Sequence, residues 1–437
     1  MQFLSKSYHD FIIKLKENIT LQRLGDNFLS LFALQFINYI LPLFLIPYLI
    51  RTIGMEGFGI YSFIFAIATY GLKVSDYGFD LSATYHISLY QKDRKKISEI
   101  FSSVLFIKFT LAIIFMIFLT IMTLSIEKLY TYKELIFLSY GMILGNVFLP
   151  LWFFQGMERM RYIMYLNGFL KLSFFLLVVL FVKEHEDLNL LLLLHSITAL
   201  IVGFSGLYLA LKHFNIKLSW RGKEEILFYL KDGWYIFTSK IAVEFYSTTS
   251  TVLVGFFATP VVLAYYALSV KIMAAVGNLF DPITRAVYPY LVGVYQSSNQ
   301  NFMTRNRQLS LVILAVMIPI SAALFFFAEA ILNIITGKEV AELNIYLLQV
   351  SSLMLIVFPY GSQFTNMLVT IKETKVLNKI LFIGAGMNLL FAPPLLYFFG
   401  VVGMIWLNAF IAYYLTLSKA YYVYKTLKQN TKESIDD

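Results

Sequence analysis

The residues best placed to do chemistry are charged side chains standing inside long apolar stretches. Lys73, Asp76 and Asp80 are spaced three and four apart, which sets them on one helical face. Lys240 and Glu244 are four apart, as are Asp281 and Arg285, while Lys108, Lys171 and Lys271 stand singly. A charge at a bilayer centre costs about 3 kcal/mol on insertion scales, so such groups persist where they face protein or water. Lys73, Lys240, Lys271 and Arg285 suit charge-assisted hydrogen bonds to an anion. Asp76, Asp80, Glu244 and Asp281 could tune that charge or take up a proton or Na⁺. Gln35 and Asn38 add neutral hydrogen-bonding groups on one face of an earlier stretch.

A structural role competes with each of these assignments. Lys240 and Glu244 could neutralise one another, and Asp281–Arg285 could be a plain i,i+4 pair. Lys108 and Lys171 could snorkel to headgroups. Lys73 and Lys271 resist that reading, lying about 24 Å and about 15 Å from the outer ends of their stretches at 1.5 Å per residue.

Other chemistries find no support. The chain has no cysteine, and its five histidines are scattered without metal-ligand spacing. No Walker A lysine motif is present, and Gly54-x-x-Gly57-x-Gly59 lies between two apolar stretches, where a tight interhelical turn suits it better than a nucleotide loop. No catalytic residue, metal or cofactor is therefore expected, although transport could be coupled to H⁺ or Na⁺.

The elements that position these charges follow from composition. Of 437 residues, 59% are hydrophobic and 14% charged, and mean hydropathy is +0.71; a soluble domain carries about 25% charge. A soluble enzyme is excluded. Apolar runs long enough to span a bilayer fall at 27–50, 58–80, 99–124, 135–155, 161–183, 188–211, 232–256, 261–292, 308–331, 343–370, 378–398 and 400–422. An all-α membrane protein of twelve spans is expected. With the N-terminus inside, cytoplasmic segments hold 24 of the 35 Lys and Arg, against 5 in the outer loops, a strong positive-inside bias. Both termini are therefore expected in the cytoplasm, in the cytoplasmic (inner) membrane. The net charge of +9 is accounted for by membrane orientation, without nucleic acid. The Lys92–Lys96 cluster reads as an anchor at the headgroups, or less simply as a collector of anionic lipid.

An offset near 205 superposes Leu24-Gly25-Asp26 on Leu230-Lys231-Asp232, Gly59-Ile60-Tyr61 on Ala264-Tyr265-Tyr266, and Asp76 on Asp281. Six spans separate the copies, so the repeat is parallel about an axis along the membrane normal. The expected organisation is an amphipathic segment at 1–26, a lobe at 27–211, a linker at 212–231, a second lobe at 232–422 and a tail at 423–437. Spans 1, 2, 7 and 8 would line a wet cleft of mixed charge able to receive an anionic headgroup.

The segments YLIRTIGMEGFGIY (48–61), SDYGFDLSATYHIS (75–88), PLWFFQGMERM (150–160) and FDPITRAVYPYL (280–291) resemble the polysaccharide flippases of the multidrug/oligosaccharidyl-lipid/polysaccharide exporter superfamily, in particular the O-antigen and capsule repeat-unit flippases. Tyr85 departs from that pattern, standing where many relatives would carry a base, so no cationic role is assigned to it. The resemblance implies a non-enzymatic carrier of undecaprenyl-diphosphate-linked oligosaccharide, moving it between leaflets by alternating access through a cationic central cavity. It also implies work beside the membrane lipids, a polysaccharide polymerase and a chain-length regulator. A lipid II or multidrug exporter of the same superfamily is the nearest alternative; a polymerase would need a larger outer loop than any here.

Overall fold

The computed structural model describes residues 19–219 and 222–436; side chains are described apart from those of 19–40, 281–283, 285, 286, 289 and 430–436. The amphipathic segment expected at the N-terminus lies mostly outside the described residues. The described chain is helical, without strands among the described residues. Its helices are α1 (Ile19–Asp76), α2 (Ser82–Leu89), α3 (Arg94–Ser125), α4 (Lys133–Phe148), α5 (Leu151–Gly156), α6 (Met160–Phe181), α7 (Leu188–His213) and α8 (Lys223–Phe257). They continue with α9 (Pro260–Gly277), α10 (Asp281–Ser297), α11 (Asn299–Phe326), α12 (Ala328–Thr336), α13 (Glu342–Met354), α14 (Phe358–Thr370) and α15 (Thr374–Asp436).

Nine helices among the described residues are long and apolar enough to cross a membrane, and the chain is a multi-pass membrane protein. The twelve ranges expected from sequence fall mostly on helix, and three features separate that number from nine. Helices α1 and α15 each run through two expected spans, broken at Gly54 (φ 74) and Gly400 (φ 58), backbone positions that side chains with a Cβ rarely adopt. Helix α8, carrying Lys240 and Glu244, is too polar to qualify.

Local chemistry sets the helix starts. The Asp93 carboxylate accepts from the backbone N–H of Lys95 and Lys96, both at 3.0 Å, capping α3. Thr259 caps α9, with Pro260 at the first helical position.

Two kinds of surface follow from side-chain size. Leu172, Leu176 and Leu180 recur every fourth residue on α6 and are exposed, forming a lipid-facing stripe. Where α4 meets α7, glycines let the backbones touch: a Cβ on Gly203 would stand 2.3 Å from the Gly145 carbonyl oxygen. Such small-residue contacts drive association in lipid, where apolar area alone does not distinguish neighbours from acyl chains.

Candidate functional site

Helix α1 positions most of the site. Its second half packs along α8 and α9, and it presents charge in two directions. Lys73 reaches Glu244 on α8 at 3.1 Å. One helical turn further, Asp76 turns instead to α3 and α4: its Oδ1 accepts from Lys108 Nζ and from Asn146 Nδ2, both at 2.9 Å. Beyond it, Asp80 pairs with Lys240 on α8. Asp80 does not continue the helical face of Lys73: α1 ends at Asp76, and Asp80 reaches α8 from the turn that follows.

These contacts correct three readings of the spacing. Lys240 and Glu244 do not neutralise each other; Glu244 takes Lys73 of α1, and Lys240 takes Asp80 of the turn after it. Lys108 does not snorkel: its residue is 2% exposed, and Asp76 with the Asn146 carbonyl (3.2 Å) satisfies its ammonium. Lys73, Asp76 and Asp80 do not form one cluster on one helical face, since α1 ends at Asp76 and Asp80 stands in the turn beyond it. The cause is common to all: the partners are 32 to 171 residues apart in sequence, beyond what periodicity within one helix can register.

The seam between α1 and α8 is closed further by rings. Tyr77 stacks on Phe237 with centroids 4.6 Å apart, and its hydroxyl donates to the Leu230 carbonyl at 3.1 Å. Tyr77 (φ 45) and Gly78 (φ 79) end α1 in left-handed conformations, which turns the chain into α2. There His86 Nε2 lies 3.0 Å from Asp232. At the opposite end of the bundle, α1 and α9 meet through backbone, since a Cβ on Gly59 would stand 1.9 Å from the Pro260 carbonyl oxygen. Arg51 donates there to the carbonyls of Ile334 and Ile335, at the C-terminal end of α12, where a cation is favoured.

Between these closures lies a cavity of about 580 Å³, walled by α1, α6, α7 and α9. Its walls are mostly apolar, and its basic lining residues are Lys171, Lys271 and His195, with no carboxylate among the described lining residues. The Lys271 ammonium sits 5.0 Å from the Phe58 ring centroid, 5.7 Å from Tyr61 and 5.9 Å from Phe65, an arrangement in which ring faces rather than anions hold the charge. His195 stacks on Phe174 at 4.2 Å, and its Nδ1 lies 3.3 Å from the Tyr61 hydroxyl. Lys171 and Lys271 make no ion pair among the described residues.

Of the cations expected from sequence, Lys271 therefore faces the cavity, while Lys73 and Lys240 stand in the α1–α8 seam. Arg285 and Asp281 lie on α10, and Gln35 and Asn38 on α1; the side chains of all four lie outside the described ones. The expected cleft was of mixed charge, whereas the described lining is basic. Lys171 and His195 were not assigned to it. Lys171 carried a usable signal, an ammonium deep in an apolar run; His195 carried none beyond its burial-prone setting.

The model of the family described as "Polysaccharide biosynthesis protein" matches residues 24–294. A candidate O-antigen transporter of Escherichia coli (strain K12) is 32% identical over 271 residues, covering 61% of this chain and 64% of that relative. Two solved structures resemble the fold. An inward-facing multidrug resistance MATE family transporter of the MOP superfamily aligns at TM-score 0.70 and 13% identity, over 90% of this chain and 96% of that one. The lipid II flippase MurJ, in an inward closed conformation, aligns at TM-score 0.70 and 15% identity, over 91% and 87%.

Proposed function

The chain belongs to the polysaccharide biosynthesis protein family, and we propose that it is a membrane transporter rather than an enzyme, a flippase for lipid-linked oligosaccharide. Its substrate in this reading is an undecaprenyl-diphosphate-linked repeat unit, moved from the cytoplasmic to the outer leaflet for O-antigen or capsule assembly. The protein lies in the inner membrane with both termini and the Lys92–Lys96 end in the cytoplasm, and its two six-helix lobes (27–211 and 232–422) alternate access to the cavity. The relative named for O-antigen transport supports the substrate class.

One observation carries the mechanism: Lys171 and Lys271 line a cavity whose described walls hold no carboxylate. A diphosphate cannot enter hydrocarbon unaided, because an unpaired ion there costs many kcal/mol. In a largely apolar cavity, two ammonium groups replace its hydration with charge-assisted hydrogen bonds, while the polyprenyl tail remains in lipid. Lys271 is held by ring faces only, so an arriving phosphate need not displace a competing carboxylate. Lys73, Lys240 and Arg285 complete the path in other conformations, when Glu244 and Asp80 release their partners and Asp281 tunes the charge. Gln35 and Asn38 contribute neutral contacts to the glycan side. A membrane potential negative inside drives the anion outward by about 2.3 kcal/mol per charge per 100 mV.

Ion coupling belongs to this proposal through Asp76, where a proton or Na⁺ would compete with Lys108. A multidrug exporter for cationic drugs fits less well, since such a substrate would meet Lys171 and Lys271 without a described counter-charge. The test is deletion of the gene in a polysaccharide-producing strain. The proposal requires loss of surface polysaccharide with undecaprenyl-linked repeat units trapped inside; normal surface polysaccharide, or drug sensitivity as the sole defect, would refute it.

A further inference from the structure

A second cavity, of about 290 Å³, lies at the basic end of the bundle, where the ends of α3, α5, α6 and α7 converge. Arg94, Arg159 and His213 line it together with Gln91 and Tyr162, and the described lining holds no carboxylate. From this geometry we infer a second anion site, for a phosphate-bearing group, separate from the transport cavity.

The nearby acidic groups are engaged elsewhere. Asp93 caps α3 through Lys95 and Lys96, and Glu99 and Glu225 both hold Lys96. Glu158 and Arg161 flank the rim and have contacts of their own. Arg94 and Arg159 are exposed, and neither forms an ion pair among the described residues. Their guanidinium groups can each present a planar fork of donors, the geometry that matches phosphate oxygens.

The floor is built to keep these charges at the surface. Phe153 is fully buried and packs edge-on to Phe214 at 5.1 Å, and Tyr162 meets Phe214 at 5.6 Å. An apolar base strengthens electrostatic attraction above it by lowering the local dielectric. Arg159 is placed by Glu158, whose φ of 56 is a left-handed backbone uncommon outside glycine. The Arg159 N–H then donates back to the Phe154 carbonyl at 2.8 Å. The residues GMER of the 150–160 segment thus have a local purpose: they turn one arginine to face another that begins α3.

The phosphate can come from an anionic lipid headgroup of the adjoining leaflet or from a soluble phosphate compound, and the experiment separates the two. Purified full-length protein is placed in phosphatidylcholine nanodiscs with and without phosphatidylglycerol, and lipid retention is read by native mass spectrometry. Inorganic pyrophosphate binding is read by calorimetry in the discs lacking phosphatidylglycerol. The Arg94→Gln/Arg159→Gln pair should weaken one of the two probes by about tenfold or more, the loss expected for a charge-assisted bond. The Arg94→Lys/Arg159→Lys pair should retain most of it. Loss confined to phosphatidylglycerol assigns a lipid site; loss confined to pyrophosphate assigns a soluble ligand. If the Gln pair does not fold, the native protein's retention of either probe must fall as salt rises. The inference is overturned if the Gln pair binds both probes as the native protein does, if neither probe binds, or if retention ignores salt.

Discussion

The Lys73 ammonium and the Glu244 carboxylate meet at 3.1 Å across the seam between α1 and α8, with the carboxylate side chain 10% exposed and the lysine 41% exposed. Asp80 and Lys240 repeat the contact with the charges exchanged. Helix α1 and the turn that follows it are thus joined to α8 by paired charges of alternating sign, which fixes their register. Removing Lys73 leaves the Glu244 carboxylate, only 10% exposed, without its counter-charge. Lys73→Met alone should lower thermal stability in detergent, and Glu244→Gln added to it should recover part of the loss. A coupling energy of about 1–3 kcal/mol in the double-mutant cycle is expected for residues in contact. Strict additivity would show that the pair contributes no interaction of its own.

Lys108 is the most confined cation of the described ion pairs, with a side chain 3% exposed against Asp76. Lys108→Met should destabilise by about 1–2 kcal/mol, the value of a hydrogen bond to a charged group, because Asp76, whose side chain is 37% exposed, would keep Asn146. Adding Asp76→Asn should restore much of that stability while leaving transport impaired if Asp76 serves coupling. Denaturant titration reads the first effect and flux in liposomes the second.

At the other end, Gly59 admits the Pro260 carbonyl so closely that any Cβ would overlap it. Gly59→Ala should force α1 and α9 apart and raise access to that end of the bundle. The chain contains no cysteine, so a single introduced thiol at Thr52 would report labelling without background. Labelling of Thr52→Cys should speed up several-fold in the Gly59→Ala background; an unchanged rate would mean the contact closes nothing.

Arg51 ties the same end together by donating to the carbonyls at the end of α12. Arg51→Ala should speed Thr52→Cys labelling in the same direction as Gly59→Ala, with a smaller loss of stability, about 1 kcal/mol, since the bonds lie in an exposed place. Slower labelling would contradict a closing role.

The helices were legible because apolar runs and their punctuation are local. Gly54 falls between two runs in the sequence and breaks α1 in the structure, and the charges within the runs pointed to Lys271 before any fold was known. What could not be read was which charge meets which. Lys108 and Asp76 share no helix, and Asp80 meets α8 because the chain leaves α1 through a left-handed turn at Tyr77 and Gly78, which spacing alone does not announce. Lys171 was visible as an intramembrane cation, yet only the convergence of α6 and α9 on one cavity sets it beside Lys271's site. His195 was invisible because a lone histidine among leucines has no spacing to betray it.

The central claim is that Lys171 and Lys271 hold the substrate diphosphate in the cavity. Its most direct measurement is the affinity of purified protein for undecaprenyl diphosphate, comparing native chain with Lys171→Met, Lys271→Met and the double variant, each first shown to be folded. Each charge-assisted contact is expected to account for about tenfold or more in affinity, so the double variant should bind about a hundredfold more weakly and should accumulate lipid-linked repeat units in cells. Native affinity in the folded double variant would contradict the account.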